Sequence, residues 1–276
     1  MEKEYSVLMS VYSKEKPEYL KLSIESMLNQ TLPPLDFVLV KDGPLTEELN
    51  EVINLYKEKH PQLLNIIEIK KNVGLGKALD EGIKHCRYEL IARMDSDDIS
   101  LPSRCEKQLR VFNDNSEYSI VGTMIDEFYD DPTKIVSSRI VPVAHQEIFQ
   151  FMKRRSPFNH PTVMYKKNEV LKVGGYGDLP RKQDLDLFSR MINNGCKAFN
   201  IAESLVLFRS NEDNFLRRKS WGYCKSYISV QYRIWKRGHC SLIDLLYVIC
   251  GQLLVLLSPV WFLKWLSNKF LRKIPE

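Results

Sequence analysis

The sequence predicts an α/β fold built around a largely parallel sheet. In the first 95 residues, short apolar runs alternate with segments whose apolar residues recur at helical spacing. Strands that alternate with helices form βαβ units, whose right-handed crossovers make the strands parallel. Polar residues follow these strands directly, and ligands of such sheets bind beyond the carboxyl ends of the strands. The composition, with 44% hydrophobic and 27% charged residues in 276, excludes a disordered or collagen-like chain.

Four strands and three helices are predicted in the first half of the chain. The strands cover residues 5–10, 36–40, 63–69 and 89–94, and the helices cover residues 19–28, 46–59 and 76–85. Pro17 stands where the first helix can begin, and Pro61 lies beyond the end of the second helix. The turn cluster at residues 41–44 ends the second strand. We therefore expect Ser10, Asp42, Asn72 and Asp95 to meet at one edge of the sheet.

The region from about residue 103 to residue 208 has a more mixed pattern. Helices are predicted at residues 104–112, 167–173 and 184–194, and strands at residues 119–123 and 162–165. Gly195 stands just past the third of these helices, where glycine commonly ends a helix. We expect one domain over residues 1–210, with halves at 1–100 and 101–210, and a helical tail over residues 211–276.

The tail differs from the rest of the chain in charge and hydropathy. The formal net charge of +5 is too mild to argue for nucleic acid, and the basic excess lies mainly beyond residue 208. Residues 245–263 carry no charge, and their length approaches the roughly twenty residues that cross a bilayer. Pro259 weakens a simple span, while Trp261 and Trp265 suit a membrane interface. The tail is expected to span the membrane, re-enter it or lie on it; the alternative is an ordinary buried helix.

The six cysteines indicate a reducing compartment. They are scattered without a C-x-x-C pair, so they fit neither a zinc site nor a disulfide-rich secreted scaffold. The first residues run directly into a predicted strand and show no signal-peptide pattern. These features predict a cytoplasmic protein with reduced thiols.

Three carboxylates follow the fourth predicted strand within four residues. Asp95, Asp97 and Asp98 come directly after an apolar run, and like charges this close raise one another's pKa. A divalent cation such as Mn²⁺ or Mg²⁺ would compensate them, and it would fill its other positions with water and substrate phosphates. The alternative is a polar turn in which Asp98 or Ser100 caps the next helix.

Five motifs occur in a fixed order along the chain: Tyr5-Ser-Val-Leu-Met-Ser-Val-Tyr12, Asp42-Gly43, Asn72-Val-Gly-Leu-Gly-Lys-Ala-Leu79, Asp95-Ser-Asp-Asp98 and Gln183-Asp-Leu-Asp-Leu187. This series resembles the bacterial family 2 glycosyltransferases, which have the GT-A fold, and among them the branch that acts in O-antigen and exopolysaccharide assembly. The resemblance covers about residues 4–210. It implies a mixed sheet flanked by helices, with a nucleotide-binding half followed by an acceptor half.

The resemblance implies that seven residues bind the nucleotide and the donor sugar: Val11, Tyr12, Asp42, Asn72, Gly74, Lys77 and Asp95. The first two would line the base pocket, and Asp42 would bond the uracil or the ribose. The next three would border the nucleotide and donor, and Asp95 would approach the ribose or the sugar. Asp97 would ligate the metal that bridges the diphosphate.

In the acceptor half, Asp184 matches the aspartate that serves as the catalytic base of the family. The family usually has glutamate immediately before that aspartate, whereas this chain has Gln183. Arg155, His160 and Gln183 are the residues that the resemblance assigns to the acceptor. The alternative for Asp184 is a solvated acid in the first turn of a helix, where the positive end of the helix dipole favours it.

The implied activity is the transfer of a hexose, with galactose or glucose favoured, from a UDP-sugar to a lipid-linked acceptor. A single base and a metal suit one displacement, which inverts the anomeric centre. GlcNAc-diphosphoundecaprenol is the favoured acceptor, a β-1,3 linkage is a narrower expectation, and the enzyme would work at the cytoplasmic face of the inner membrane. A non-catalytic nucleotide-sugar-binding scaffold and a sugar nucleotidyltransferase are the alternatives. Gly74-Leu-Gly76 matches neither a dinucleotide-binding fingerprint nor a P-loop.

Overall fold

A computed structural model describes residues 4–210 and 219–259 of the chain. Within them lie nine strands: β1 (Ser6–Val11), β2 (Asp36–Asp42), β3 (Leu64–Ile69), β4 (Leu90–Asp95), β5 (Ile99–Ser100), β6 (Tyr118–Phe128), β7 (Ile135–Arg139), β8 (Met164–Lys166) and β9 (Lys197–Arg209). The described helices are α1 (Pro17–Leu28), α2 (Glu47–Lys59), α3 (Leu75–His85), α4 (Arg104–Asp114), α5 (His145–Met152), α6 (Lys167–Lys172), α7 (Gln183–Asn193), α8 (Trp221–Lys236) and α9 (Leu242–Leu257). A 3₁₀ turn covers His160–Thr162.

All nine strands form one mixed sheet. Its order is β3-β2-β1-β4-β8-β6-β9-β5, and β7 pairs with β6 outside this path. Strands β1 to β4 are mutually parallel where they pair, as the alternating pattern of the first half predicts. β8 then pairs antiparallel with β4 on one side and with β6 on the other. This short strand joins the parallel first half to the mixed second half.

Apolar side chains cover both faces of the sheet. Along β1, Leu8 belongs to the core shared with α3 and α7, whereas Val7 and Met9 belong to the core shared with α1, α2 and α4. This alternation follows from the two-residue period of a strand. Because helices cover both faces, β1 is apolar along most of its length rather than alternating with polar residues.

The second half contains elements that the hydropathy pattern did not predict. β5, β7, β9 and α5 were absent from the prediction, and β6 extends five residues beyond the predicted end at residue 123. In β9 the pairing with β6 jumps from Ile201 to Ser204. Such an irregularity breaks the two-residue alternation that identifies a strand, which explains why β9 was missed.

The described part of the tail, residues 219–259, contains a helical hairpin that packs on the main domain. Ser220 and Ser241 cap α8 and α9 with their side chains, and Gln231 donates to the carbonyl of Lys153 at 2.6 Å. Within residues 4–210 and 219–259, no helix has both the length and the apolar character needed to span a bilayer. Part of the predicted apolar segment, together with Trp261 and Trp265, lies outside the described residues.

Candidate active site

Three parallel strands end side by side at one edge of the sheet. In the register of β1, Ser10 lies opposite Val40 of β2 and Asp95 of β4. The residues that follow these strands are therefore brought together, as the sequence predicts. Val11, at the end of β1, is fully buried, whereas 45% of the surface of Tyr12 is exposed.

Asp42 fixes the loop that leads into α3. Its carboxylate accepts hydrogen bonds from the Asn72 side chain (3.0 Å), the Val73 amide (2.7 Å) and the Gly74 amide (3.0 Å). Gly43 makes this approach possible, since a Cβ there would lie 2.6 Å from the Asn72 nitrogen. The predicted motifs at residues 42–43 and 72–79 thus touch directly. A role of Asp42, Asn72 or Gly74 in nucleotide binding stays a prediction.

Lys77 lies in the first turn of α3, near the loop that precedes α7. Its ammonium forms a 2.8 Å ion pair with Asp178, and both side chains are largely exposed. An exposed pair of this kind contributes little to stability. The role of Lys77 in binding the donor stays a prediction.

The carboxylates of Asp95, Asp97 and Asp98 have oxygens within 4.8 Å of one another. Asp95 forms an ion pair with Arg93, whose side chain is buried in β4 two residues earlier. Asp98 accepts a 2.8 Å bond from the Arg209 amide through one oxygen. Its other oxygen is buried without a protein partner. Neither Asp98 nor Ser100 caps α4, because the helix begins at Arg104 and its N-cap residue is Ser103, without a side-chain cap.

The electrostatics of this acidic cluster suit a divalent cation. Burial, together with the charges of Asp95 and Glu15, raises the pKa of Asp97 to about 7. Burial and the neighbouring carboxylates also hold the pKa of Asp98 well above its usual range. Arg93 compensates only part of this repulsion. An all-oxygen donor set with a buried oxygen lacking a partner fits a hard ion such as Mg²⁺ or Mn²⁺.

Asp184 is the second residue of α7, at the positive end of the helix dipole. Ser156 donates a long 3.4 Å hydrogen bond to its carboxylate. Burial favours the neutral acid, but His160, Lys182 and the Leu185 amide outweigh it, so the pKa of Asp184 is lower than usual. Burial and the charge of Arg93 lower the pKa of His160 itself to about 3. At neutral pH, the charges of Lys182 and Arg139 and the Leu185 amide therefore keep Asp184 ionised.

His160 and Gln183 are held by protein contacts. The His160 Nε2 atom shares a 2.8 Å hydrogen bond with the Tyr176 hydroxyl. Gln183 is only 8% exposed, and a Cβ on Gly76 would lie 3.2 Å from its side chain. Gln183 therefore packs the start of α7 against the start of α3. Its predicted contact with the acceptor stays a prediction.

Arg155 is half-buried after α5, with its guanidinium 5.8 Å from the ring centroid of Phe151. Its neighbour Arg154 forms a 2.6 Å ion pair with Asp244 of α9 and lies over the ring of Tyr247. The two consecutive arginines thus differ in their contacts. Arg154 binds the C-terminal hairpin, and the predicted contact of Arg155 with an acceptor stays a prediction.

Tyr176 connects the acidic cluster to Asp184. Burial raises the pKa of Tyr176, and the charges of Arg93, Asp184 and Asp95 all act on its phenol. Asp95 and Asp184, 89 residues apart in the chain, therefore both lie close enough to influence this phenol. The sequence did not predict a role for Tyr176, Arg93 or Arg209 at this site. A charged residue inside the apolar run of β4 was an available signal for Arg93 alone.

Comparison with known proteins places the chain in a class of sugar-transferring enzymes. The chain belongs to glycosyl transferase family 2, whose family model matches residues 6–175. The UDP-Gal:alpha-D-GlcNAc-diphosphoundecaprenol beta-1,3-galactosyltransferase of Escherichia coli is 34% identical over 272 residues, covering 98% of this chain and 97% of that protein. The amylovoran biosynthesis glycosyltransferase AmsE of Erwinia amylovora is 37% identical over 230 residues, covering 83% and 85%.

The fold is confirmed by solved structures. The mannosyltransferase PcManGT of Pyrobaculum calidifontis, solved with GDP-Man and Mn²⁺, superposes with a TM-score of 0.63 at 13% identity. The match covers 94% of this chain and 72% of that one. The predicted family and the mixed, helix-flanked sheet of a GT-A-like fold are thus both confirmed.

Proposed function

We propose that this chain is an inverting, metal-dependent glycosyltransferase that moves a hexose from a UDP-sugar to a lipid-linked sugar. One observation carries the proposal: Asp95 of the acidic cluster and the separate carboxylate of Asp184 both influence the buried phenol of Tyr176. The first group suits a metal–diphosphate, and the second suits a general base. A family 2 glycosyltransferase needs both functions for a single displacement.

Asp97, with Asp95 and Asp98 beside it, would hold Mn²⁺ or Mg²⁺. The bound ion would neutralise charge on the diphosphate as it leaves. Arg93 keeps Asp95 in place through its ion pair, and Arg209 fixes the cluster by donating to the Asp98 carboxylate and to the Asp97 carbonyl. These contacts hold the three carboxylates of the acidic cluster in position.

Asp184 would remove the proton from the acceptor hydroxyl. As that proton moves to the carboxylate, the hydroxyl oxygen forms a bond to the anomeric carbon, and the bond from this carbon to the diphosphate oxygen breaks. Attack from the face opposite the diphosphate inverts the anomeric centre. The lowered pKa of Asp184 keeps the carboxylate ready to accept a proton at neutral pH.

The names of the relatives support a substrate class. One relative is named for UDP-Gal and GlcNAc-diphosphoundecaprenol, and another for biosynthesis of amylovoran. We assign this chain a UDP-sugar donor, with galactose or glucose favoured, and a GlcNAc-diphosphoundecaprenol acceptor. A β-1,3 linkage is the narrower proposal, and the product would enter O-antigen or another surface polysaccharide.

The C-terminal hairpin would bring the enzyme to the membrane that carries such an acceptor. α9 exposes large apolar side chains on one face, among them Ile243, Tyr247, Leu254 and Leu257. An apolar helix face with basic neighbours is suited to the headgroup region of a bilayer. We place the enzyme peripherally at the cytoplasmic face, with the catalytic domain over residues 1–210 and the tail over residues 211–276.

The test is UDP release from a panel of UDP-sugars with a synthetic GlcNAc-diphosphate-lipid acceptor. We expect turnover with one sugar, its loss in EDTA, and a fall of at least about a hundredfold in Asp184→Asn, because a positioned base contributes ~10²–10⁴-fold. The exposed Asp114→Asn is the matched control and should keep full activity. UDP binding without turnover on any lipid-linked sugar would instead favour the non-catalytic scaffold.

A further inference from the structure

Lys182 has an unusual backbone conformation directly before the proposed base. Its φ of 61° is positive, which no other non-glycine residue shares within the described parts of the chain. It is also the N-cap of α7, without a side-chain cap of its own. Non-glycine residues are uncommon in this left-handed region and persist where surrounding structure holds them. Something must therefore hold Lys182 in place.

Two tyrosines of α8 provide this hold. The Lys182 ammonium lies 4.6 Å from the ring centroid of Tyr227 and 5.2 Å from that of Tyr223. The two rings are themselves neighbours, with centroids 6.3 Å apart. A cation within about 6 Å of an aromatic face is attracted by the ring quadrupole. The first two turns of α8 thus contact Lys182, the N-cap residue of α7.

A second contact joins the other end of α8 to the same turn of α7. Arg237, just after α8, donates a 2.6 Å hydrogen bond to Asp186. Arg190 bonds the other oxygen of that carboxylate at 3.0 Å, and Asp186 is almost fully buried. Lys182 and Asp186 flank Asp184 on either side, so α8 holds the base-bearing turn at both ends.

The groups that face Asp184 come from several elements. Besides Lys182, its carboxylate is influenced by His160 and by Arg139 of β7, while Tyr176 and Tyr227 respond to its charge. Ser156 donates its hydroxyl to it. His160 is neutral near pH 7, since its pKa is about 3. The cationic side chains acting on Asp184 at that pH are therefore Lys182 and Arg139.

We propose that helix α8 of the C-terminal hairpin positions the catalytic base, with Tyr223 and Tyr227 holding Lys182 beside Asp184. Lys182 is a positioning residue that sets the location and the charge environment of the carboxylate. The inference rests on the proposed role of Asp184. The C-terminal hairpin would then position the catalytic base in addition to contacting the membrane.

The direct test does not require turnover. Full-length protein with ¹³C-labelled aspartate carboxyls is titrated by NMR, and Asp184→Asn identifies the Asp184 signal. In Lys182→Met the pKa of Asp184 should rise by about one unit or more, because an adjacent opposite charge lowers a carboxyl pKa by ~1–3 units. Lys182→Arg, which keeps the charge and the affinity for aromatic rings, should leave it near the wild-type value. Equal titration of Asp184 in all three proteins would overturn the proposal.

Kinetics provide the second readout. Lys182→Met and Tyr223→Leu/Tyr227→Leu should lower kcat at least about fivefold while KM for the UDP-sugar stays within twofold, and the acid limb of the kcat profile should move to higher pH. Lys182→Arg should rescue both, and circular dichroism confirms that each variant is folded. If the wild type itself shows no turnover, the proposed function fails, and the NMR titration still decides the positioning. If the variants raise KM for the UDP-sugar and leave kcat unchanged, the positioning role of Lys182 is contradicted.

Discussion

Arg93 lies inside an otherwise apolar strand and carries the charge balance of the acidic cluster. Its guanidinium is 1% exposed and pairs with Asp95 two residues further along the same face of β4. Burying a charge is costly unless it is paired and hydrogen-bonded. Arg93 forms an ion pair with only one of the three carboxylates, however. The repulsion among the three is relieved when Asp97 or Asp98 holds a proton, which is why the pKa values of both are raised.

The raised pKa of Asp97 predicts a pH-dependent gain in stability for Asp97→Asn. The folded protein holds a proton on Asp97 up to about pH 7, whereas the unfolded chain releases it near the ordinary value of 3.8. The free energy of unfolding contributed by Asp97 therefore falls as the pH rises from about 4 to 7. In EDTA, Asp97→Asn should melt at a higher temperature than wild type at pH 8, and the difference should shrink towards pH 5.

Wild type and variant share all histidines, so their titration cancels in the comparison. Added Mn²⁺ should raise the melting temperature of wild type and leave the variant unchanged, and Asp114→Asn is the matched surface control. A constant difference in melting temperature between pH 5 and pH 8 would show that Asp97 titrates normally. An equal response of both proteins to Mn²⁺ would remove Asp97 as a ligand.

The loop after β2 and the loop before α3 contact each other directly. The turn after β2 and the loop before α3 meet where Gly43 passes the backbone of residue 72, and Asp42 then receives three hydrogen bonds from that loop. Neither loop has the regular backbone bonding of a helix or strand. The contact between the two loops therefore depends on the absence of a side chain at Gly43 and on the carboxylate of Asp42.

Gly43→Ala should therefore destabilise the protein more than a comparable glycine substitution elsewhere. Gly195 is the matched control, because its φ of +93° resembles the +88° of Gly43 while nothing lies within 4 Å of an added Cβ. Gly195→Ala should cost about 1–2 kcal/mol for the left-handed backbone alone. Gly43→Ala adds a backbone clash at 2.6 Å and should cost clearly more by urea denaturation. Equal losses would mean that the two loops separate freely.

At the scale of the whole molecule, α9 presents several large apolar side chains at the protein surface. Leu254 and Leu257 are 65% and 78% exposed, whereas Leu245 and Val248 of the same helix are buried. The helix thus packs on the protein through one face and leaves another apolar face uncovered by any described residue. A bilayer would cover that face.

Substituting Leu246, Leu254 and Leu257 together by serine should release the protein from vesicles that contain anionic lipids. Each exposed leucine contributes up to about 1.5–3 kcal/mol when it becomes fully buried, so the partition coefficient should fall at least about tenfold. Leu55→Ser, at a similarly exposed leucine of α2, is the control and should sediment like wild type. Unchanged sedimentation of the triple variant would mean that α9 is not the membrane contact.

What the sequence determined by itself is local in the chain. The alternation of β1 to β4 with α1 to α3 is set by side-chain periodicity. The motifs carrying Asp42 and the acidic cluster lie at the ends of these strands, and the motif carrying Asp184 lies at the start of α7. The pattern and the motifs were sufficient for the fold class and the family. Tertiary structure decided the contacts between distant segments: Arg209 on Asp98, Tyr176 on His160, and α8 on the start of α7. Those contacts depend on how elements pack, and no hydropathy pattern along one chain encodes which distant side chain fills a given position.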